Sequence, residues 1–155
     1  MVTRSEWVQA LRRYKGTPFL HQGRNEQGID CIGLLMCAAR DVGIEHDAWK
    51  IDDYRRAPDS KLFEKFISKY LTHKPCNRLL PLVPQLHVGD VLVFWIEHPE
   101  YARHVGVYTG TFDGQPRMIH AFAKTPRCVI EQMVTPAYWK PRLVSVWTLP
   151  QFSEQ

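Results

Sequence analysis

The chain has 155 residues, of which 45% are apolar and 23% charged, and 20 Lys and Arg against 16 Asp and Glu give it a formal charge of +4. These values are typical of a globular protein and exclude a disordered, collagen-like or linker segment. The length predicts a single domain over residues 1–155, because two separate cores would each be too small to bury enough surface.

The positive charges are spread along the chain. Lys and Arg form no run longer than pairs such as Arg12-Arg13 and Arg55-Arg56, so we expect a solvated surface and no nucleic-acid partner. The first residues lack an apolar stretch followed by a cleavage site, and no segment approaches the roughly 18 apolar residues that cross a bilayer. We therefore expect no signal peptide and no membrane insertion.

The first predicted helix follows Thr3. Thr3 and Glu6 have the spacing of a capping box, and apolar residues then recur at intervals of three and four as far as Tyr14. The sequence Gly-Thr-Pro at 16–18 predicts the end of this helix. Its pattern is amphipathic, so one face is expected to pack inward.

The second predicted helix begins at Cys31. A loop with several glycines runs from Phe19 to Asp30, and helical periodicity then continues as far as Gly43. This pattern places the Cys31 side chain in the first turn of a helix.

The segment 48–84 is predicted to be a helical insertion. A third helix is expected over residues 60–71, between Pro58 and Pro75. The residues predicted to face inward are Leu62, Phe63, Phe66, Ile67 and Tyr70.

After Pro84 the pattern changes to strands. Apolar and β-branched residues alternate in short runs separated by Gly, Pro and Asp. The predicted strands are 90–95, 104–109, 117–122, 128–131 and 143–149. Because helices come first and strands later, the order predicts an α+β fold with an antiparallel sheet.

Several kinds of site are excluded by spacing. No glycine-rich phosphate loop follows a strand, and there is neither a Cys-x-x-Cys nor a His-Glu-x-x-His motif. The four cysteines show no dense spacing that would indicate a disulfide framework. We expect no cofactor and no metal.

Cys31 is a candidate nucleophile. A thiol in the first turn of a helix faces unpaired N–H groups and the positive end of the helix dipole, which favour the thiolate and lower the pKa. The alternative is that Cys31 is an ordinary small buried residue, as we expect for Cys37, Cys76 and Cys128.

His104 and His120 supply a base and a group to orient it. A hairpin centred near Phe112 would set the two histidines directly opposite each other, on one face of the sheet. With Cys31 they would complete a nucleophile, a base and an orienting group, as in a catalytic triad. Each histidine taken alone is also compatible with an ordinary hydrogen-bonded residue.

These residues lie within segments that resemble the NlpC/P60 cysteine peptidases, and most of all their phage-tail branch. The most specific part is Asp-Cys-x-Gly-Leu, followed by His-Val-Gly and Ile-His-Ala. The matching segments, in family order, are Gly16–Arg24, Gly28–Leu35, Val88–Phe94, His104–Gly110 and Met118–Ala121.

The resemblance implies a papain-like α+β fold with N-terminal helices on an antiparallel sheet of five to six strands. It also implies cleavage of amide bonds in peptidoglycan stem peptides, with Cys31 as nucleophile, His104 as base and His120 as orienting group. The expected substrate is peptidoglycan or a muropeptide. The protein would be made in the bacterial cytoplasm and delivered as part of a virion or tail, possible partners being tail proteins.

Three further residues are substrate-binding candidates. By resemblance, the Asp30 carboxylate would receive a free amino terminus, although a plain helix N-cap is equally compatible with the sequence. Phe19 and Trp95 would wall a groove, or else belong to the core. Ile32 departs from the family, which usually has Ser or Ala after the cysteine, and this bears on substrate preference and on whether the site is active.

Two other functions use the same fold. One is a catalytically inactive tail-tip or hub component that binds cell wall or neighbouring subunits. The other is acyl transfer between lipids by the same Cys and His residues, against which the lack of an amphipathic membrane anchor counts.

Overall fold

A computed structural model describes residues 1–44, 60–97, 99 and 102–153, without the side chains of 60–62 and 102. The helices of these residues are α1 (Arg4–Arg12), α2 (Cys31–Asp41) and α3 (Ser60–Tyr70). The strands are β1 (Arg24–Asn25), β2 (Gly28–Ile29), β3 (Thr72–Lys74), β4 (Val91–Trp95), β5 (Ala102–Phe112), β6 (Gln115–Ala121), β7 (Val129–Met133) and β8 (Leu143–Thr148). Short 3-10 turns lie at Val83–Gln85 and Lys140–Arg142.

Helix α1 begins as its capping box predicts. The hydroxyl of Thr3 accepts a hydrogen bond from the N–H of Glu6 at 3.1 Å, and the N–H of Thr3 donates to the Glu6 carboxylate at 2.8 Å. The helix buries Trp7 and Leu11 completely. Its apolar face is therefore part of the core, as its periodicity predicts.

The main sheet has six antiparallel strands in the order β3-β8-β4-β5-β6-β7. Alternate residues of its strands belong to two different apolar clusters. Val93 and Val105 pack with the helices, whereas Phe94 and Met118 pack on the other face with Trp139. The α+β fold with helices on an antiparallel sheet is confirmed.

The sequence did not predict β1, β2 or β3. Each has two or three residues, which is too short for a period of two to be recognised. Strand β3 pairs with β8 at the edge of the sheet, and β1 pairs with β2 inside the glycine-containing loop.

The predicted insertion is described only in part, since residues 45–59 lie outside the described residues. Its remainder contains α3, β3 and the turn Val83–Gln85. The side chain of Leu62 is also outside the described part. The other predicted inward residues of α3 are buried: Phe63, Phe66, Ile67 and Tyr70.

The predicted pairing of His104 directly with His120 is wrong. The β5–β6 hairpin turns at Asp113 and Gly114, both with positive φ, so that Phe112 pairs with Gln115. An irregularity after Tyr108 then shifts the register, so that Val107 pairs with Ile119. The next residues in the same register, Gly106 and His120, are therefore opposite each other. Because Asp-Gly favours a two-residue turn, the hairpin centre lies closer to β6 than predicted. The two histidines are diagonal neighbours on one face.

Candidate active site

Cys31 is the first residue of α2, and Asp30 caps this helix. One carboxylate oxygen of Asp30 accepts a hydrogen bond from the N–H of Gly33 at 2.7 Å, and the other accepts from the N–H of Gln22 at 2.8 Å. A Cβ atom at Gly33 would collide with the carbonyl oxygen of Gly23. Glycine at this position therefore lets the preceding loop cross the first turn of α2 and bind Asp30.

The sulfur of Cys31 lies against β5. The backbone N–H of Val105, which follows His104 in the chain, is a hydrogen-bond donor to this sulfur, as is the N–H of Ile32. The Cys31 residue is partly exposed. The fold thus brings the predicted nucleophile to the strand that carries the predicted base, with part of the Cys31 residue at the surface.

His104 and His120 are hydrogen-bonded to each other. Nε2 of His104 and Nδ1 of His120 are 2.7 Å apart, and the two residues are 5% and 0% exposed. Gly106 makes room for this contact, because a Cβ atom there would lie 2.8 Å from the Met118 sulfur and 3.4 Å from the His120 Cβ. The pair that the sequence predicted is formed, although its register is different.

Three aromatic side chains enclose the histidine pair. The Trp139 ring stacks on His104 at a centroid distance of 5.3 Å and meets His120 edge-on at 5.2 Å. The Phe122 ring lies 5.2 Å from that of His120, and the Phe94 ring lies 6.3 Å from that of His104. The sequence predicts strands at Phe94 and Phe122 without indicating a function for either, and Trp139 lies outside every predicted strand and matching segment.

The enclosure keeps both imidazoles neutral. Burial lowers the pKa of His104 well below its ordinary 6.5, and the neighbouring His120 lowers it further. Burial likewise lowers the pKa of His120 to about 4, against a hydrogen bond to the Gln132 side chain that raises it. At neutral pH both histidines are therefore uncharged.

The expectation that the helix N-terminus lowers the pKa of Cys31 is wrong while both imidazoles are uncharged. Although part of the residue reaches the surface, the sulfur is enclosed by protein, and its burial together with the Asp30 charge raises the pKa of the thiol to about 12. The N–H groups of Val105, Ile32 and Cys31 oppose this rise without overcoming it. A thiolate forms here only with a compensating positive charge, such as a protonated His104.

The three substrate-binding candidates lie in different surroundings. Asp30 is 3% exposed, and both of its oxygens already accept backbone hydrogen bonds. Phe19 is partly buried against the core. Trp95 is half-buried under the guanidinium of Arg142, whose Cζ lies 4.6 Å from the ring centroid. The helix cap is thus observed for Asp30, and contact of these residues with substrate stays a prediction.

Ile32, the departure from the family pattern, points into the core. Its side chain is 2% exposed and belongs to the cluster between the helices and the sheet. An apolar residue at this position therefore contributes packing, because its side chain is not presented to solvent.

The described residues contain no group of three or more His, Cys, Asp or Glu side chains that could hold a metal ion. Within the same ranges, no helix has the length and apolar character needed to span a bilayer. Cys31, Cys37, Cys76 and Cys128 are all free thiols.

Comparison with solved structures finds the same fold in bacterial proteins. An NlpC/P60 family protein from Bacillus cereus superposes with a TM-score of 0.61 at 20% identity, over 94% of this chain and 39% of its own. A lipoprotein-like NLP/P60 protein from Staphylococcus aureus gives 0.62 at 16% identity, over 97% and 42%. The NlpC/p60 domain of the peptidoglycan hydrolase SagA gives 0.56 at 18% identity, over 96% and 100%.

This chain therefore spans about two fifths of the first two of these proteins. A search of curated proteins finds no match. The model of the NlpC/P60 family matches residues 16–148, which include the helix with Cys31 and both histidine-bearing strands. The chain belongs to the NlpC/P60 family.

Proposed function

We propose that this protein is a cysteine peptidase that hydrolyses amide bonds in peptidoglycan stem peptides. Cys31 is the nucleophile, His104 the base and His120 the residue that orients His104. The observation that carries the proposal is the 2.7 Å contact between His104 Nε2 and His120 Nδ1, beside the strand residue that donates to the Cys31 sulfur. Family membership supports it, and the related SagA domain comes from a peptidoglycan hydrolase.

The protonation states define the first step. Nε2 of His104 is engaged by His120, so Nδ1 is the nitrogen left to act as base. The raised pKa keeps the Cys31 thiol protonated at rest. Its proton therefore passes to His104 during the attack of the sulfur on the substrate carbonyl, not before it. The N–H of Cys31 at the start of α2 stabilises the oxyanion.

The remaining steps regenerate the thiol. Protonated His104 donates its proton to the leaving amine when the carbon–nitrogen bond breaks, which leaves a thioester on Cys31. Water, deprotonated by His104, then attacks the thioester and releases the carboxylic acid. The sulfur recovers the proton, and no redox step or added group is needed.

We also propose delivery to the cell wall as part of a phage or phage-like tail. The support is the resemblance of segments such as His104–Gly110 to that branch of the family, and a charge of +4 suits an anionic polymer. Synthesis in the bacterial cytoplasm and binding to tail proteins belong to the same proposal.

The second candidate function is an inactive wall-binding or hub component of the same fold. The raised pKa of Cys31 favours it, since a thiol that resists ionisation is a poor nucleophile unless a base takes its proton. The two functions differ in turnover and share the fold.

The test is incubation with purified muropeptides, followed by mass spectrometry to find the newly exposed amine. Cys31→Ala is expected to bind and fold normally but to form no product, whereas Cys76→Ala, a half-exposed cysteine outside the site, keeps the parent rate. Absence of product with the parent protein, or equal product with Cys31→Ala, would overturn the peptidase.

A further inference from the structure

We propose that Gln132 is a positioning residue of this site: its amide oxygen accepts the Nε2–H of His120 and so keeps Nδ1 of His104 free to take a proton. This inference rests on the proposed function, because it concerns the same base. It adds a fourth side chain, from β7, to the three that the sequence predicted.

The hydrogen bond between the two histidines allows two arrangements of their protons. Both rings are neutral, so each carries one proton, and only one proton lies between Nε2 of His104 and Nδ1 of His120. If it belongs to His104, then Nδ1 of His104 is a base and His120 carries its own proton on Nε2. If it belongs to His120, then Nδ1 of His104 is protonated and is no base for Cys31.

Only the first arrangement needs an acceptor at Nε2 of His120. This atom is buried and has no partner of good hydrogen-bond geometry among the described residues. The rings around it belong to Phe122, Trp139 and His104, of which the first two have no acceptor. An unpaired N–H in this enclosure is costly, so a nearby acceptor decides which arrangement is populated.

Gln132 lies where such an acceptor is required. In the β6–β7 pair, Met118 is opposite Gln132 and His120 is opposite Ile130, so Gln132 is the diagonal neighbour of His120 on one face of the sheet. Diagonal neighbours are within reach of long side chains. The Gln132 side chain is near enough to raise the pKa of His120 against the effect of burial, although no hydrogen bond of good geometry is formed at Nε2.

The one charged residue of β7, Glu131, is engaged away from the pair. The carboxylate of Glu131, the preceding residue, binds the guanidinium of Arg12 on α1 at 2.9 and 3.0 Å. The titratable group in contact with His120 is His104. The amide of Gln132 therefore acts on His120 without competition from a formal charge on its own strand.

Three variants of β7 separate a positioning role from a structural one. Gln132→Met keeps the volume and removes the acceptor, Gln132→Glu keeps an acceptor and removes the donor, and Met133→Leu is the control at the exposed neighbouring position. We expect Gln132→Met to lower kcat about tenfold with KM unchanged. Gln132→Glu should stay within about threefold of the parent at pH 8 and lose activity near pH 6, because a carboxylate raises the pKa of His120.

Nitrogen-15 NMR of the histidine rings measures the proton positions directly and needs no turnover. The parent and Gln132→Glu at pH 8 should show His120 protonated on Nε2 and His104 on its own Nε2. Gln132→Met should show a mixture of both arrangements. Unchanged ring tautomers and unchanged kcat in Gln132→Met would overturn the inference. A parent protein that has these tautomers but cleaves no muropeptide would overturn the proposed function and leave the positioning intact.

Discussion

The two sides of the candidate site are held in place by different forces. On the helix side, Asp30 fixes the start of α2 through two backbone hydrogen bonds, and Cys31 stays partly exposed. On the sheet side, His104 and His120 are almost fully buried and are held by one mutual hydrogen bond and the rings around it.

The difference fits the proposed function. In that proposal Cys31 meets a polymeric substrate, and part of this residue lies at the surface. A base must keep one proton arrangement, and a water-excluding enclosure of aromatic rings keeps the imidazoles neutral and correctly oriented. Perturbations of the sheet side should therefore change the rate and stability strongly, and those of the helix side should be milder as long as Cys31 itself is kept.

The largest effect is expected from the two histidines. His104→Ala should lower kcat/KM on muropeptides by about 10²- to 10⁴-fold, because it removes the base. His120→Ala should lower it by about 10- to 100-fold, because it removes only the group that orients the base. A rate assay with muropeptides distinguishes the two, and a larger loss in the His120 variant would contradict the assigned roles.

Trp139→Leu should open the enclosure. The residue is 2% exposed and contacts both histidine rings, so its truncation is expected to cost about 3 kcal/mol of the free energy of unfolding. Water entering the space should raise the pKa of His120 from about 4 toward its ordinary value. Urea denaturation and NMR titration measure the two effects.

The matched control for Trp139 is Trp95→Leu. Trp95 is half-buried and stacks with Arg142 at the surface end of β4. It should lose less stability and leave the pKa of His120 unchanged. Equal effects at the two tryptophans would show that the enclosure has no special part in keeping His120 neutral.

Stability should fall with acid because of the buried histidines. Folding lowers the pKa of His120 from 6.5 to about 4. The free energy of unfolding is therefore unaffected by His120 above pH 6.5 and decreases as the pH falls toward 4, because the unfolded chain takes up the proton first. Between pH 7 and pH 5 this amounts to about 2 kcal/mol for His120, and His104 shifts in the same direction. Urea denaturation at several pH values should show that the free energy of unfolding depends less on pH in His120→Gln than in the parent protein. The same pH dependence in both proteins would contradict a buried, neutral His120.

Asp30→Asn should have a smaller effect on stability than Trp139→Leu. The single carbonyl oxygen of Asn can keep the cap on the N–H of Gly33, but its NH2 group cannot accept the N–H of Gln22, so we expect a loss of about 1 to 2 kcal/mol of the free energy of unfolding. Removing the negative charge should lower the pKa of Cys31 and raise its rate of alkylation by iodoacetamide at pH 8 severalfold. Slower alkylation would mean that the Asp30 charge does not oppose the thiolate.

The same variant tests the predicted amine-binding role of Asp30. If the carboxylate receives a free amino terminus, Asp30→Asn should raise KM for a muropeptide with a free amine and leave KM for its N-acylated form unchanged. Equal KM values for the two substrates in parent and variant would leave Asp30 as a helix cap.

Local features of the site were predictable from the sequence. The cap at Asp30, the helix start at Cys31 and the capping box of α1 depend on residues within three positions of each other, and all are observed. The hairpin register was predicted incorrectly because its centre depends on the Asp113-Gly114 turn and on an irregularity in β5. A small error in the turn moves every pair beyond it.

Non-local features were not predictable. Trp139 contacts the histidines from the boundary of a 3-10 turn, and Gln132 on β7 is the diagonal neighbour of His120; neither belongs to a motif. The direction of the Cys31 pKa shift was also wrong, because the helix dipole is a local effect whereas enclosure of the sulfur depends on what packs over it.

The sequence by itself determined the three helices, the longer strands, the fold class and the association of His104 with His120, because periodicity, caps and family motifs are properties of short segments. The tertiary structure alone decided the protonation states of these residues and the side chains that control them. Burial and hydrogen bonding between distant strands set the free energy of each charge, and neither exists before the sheet has formed.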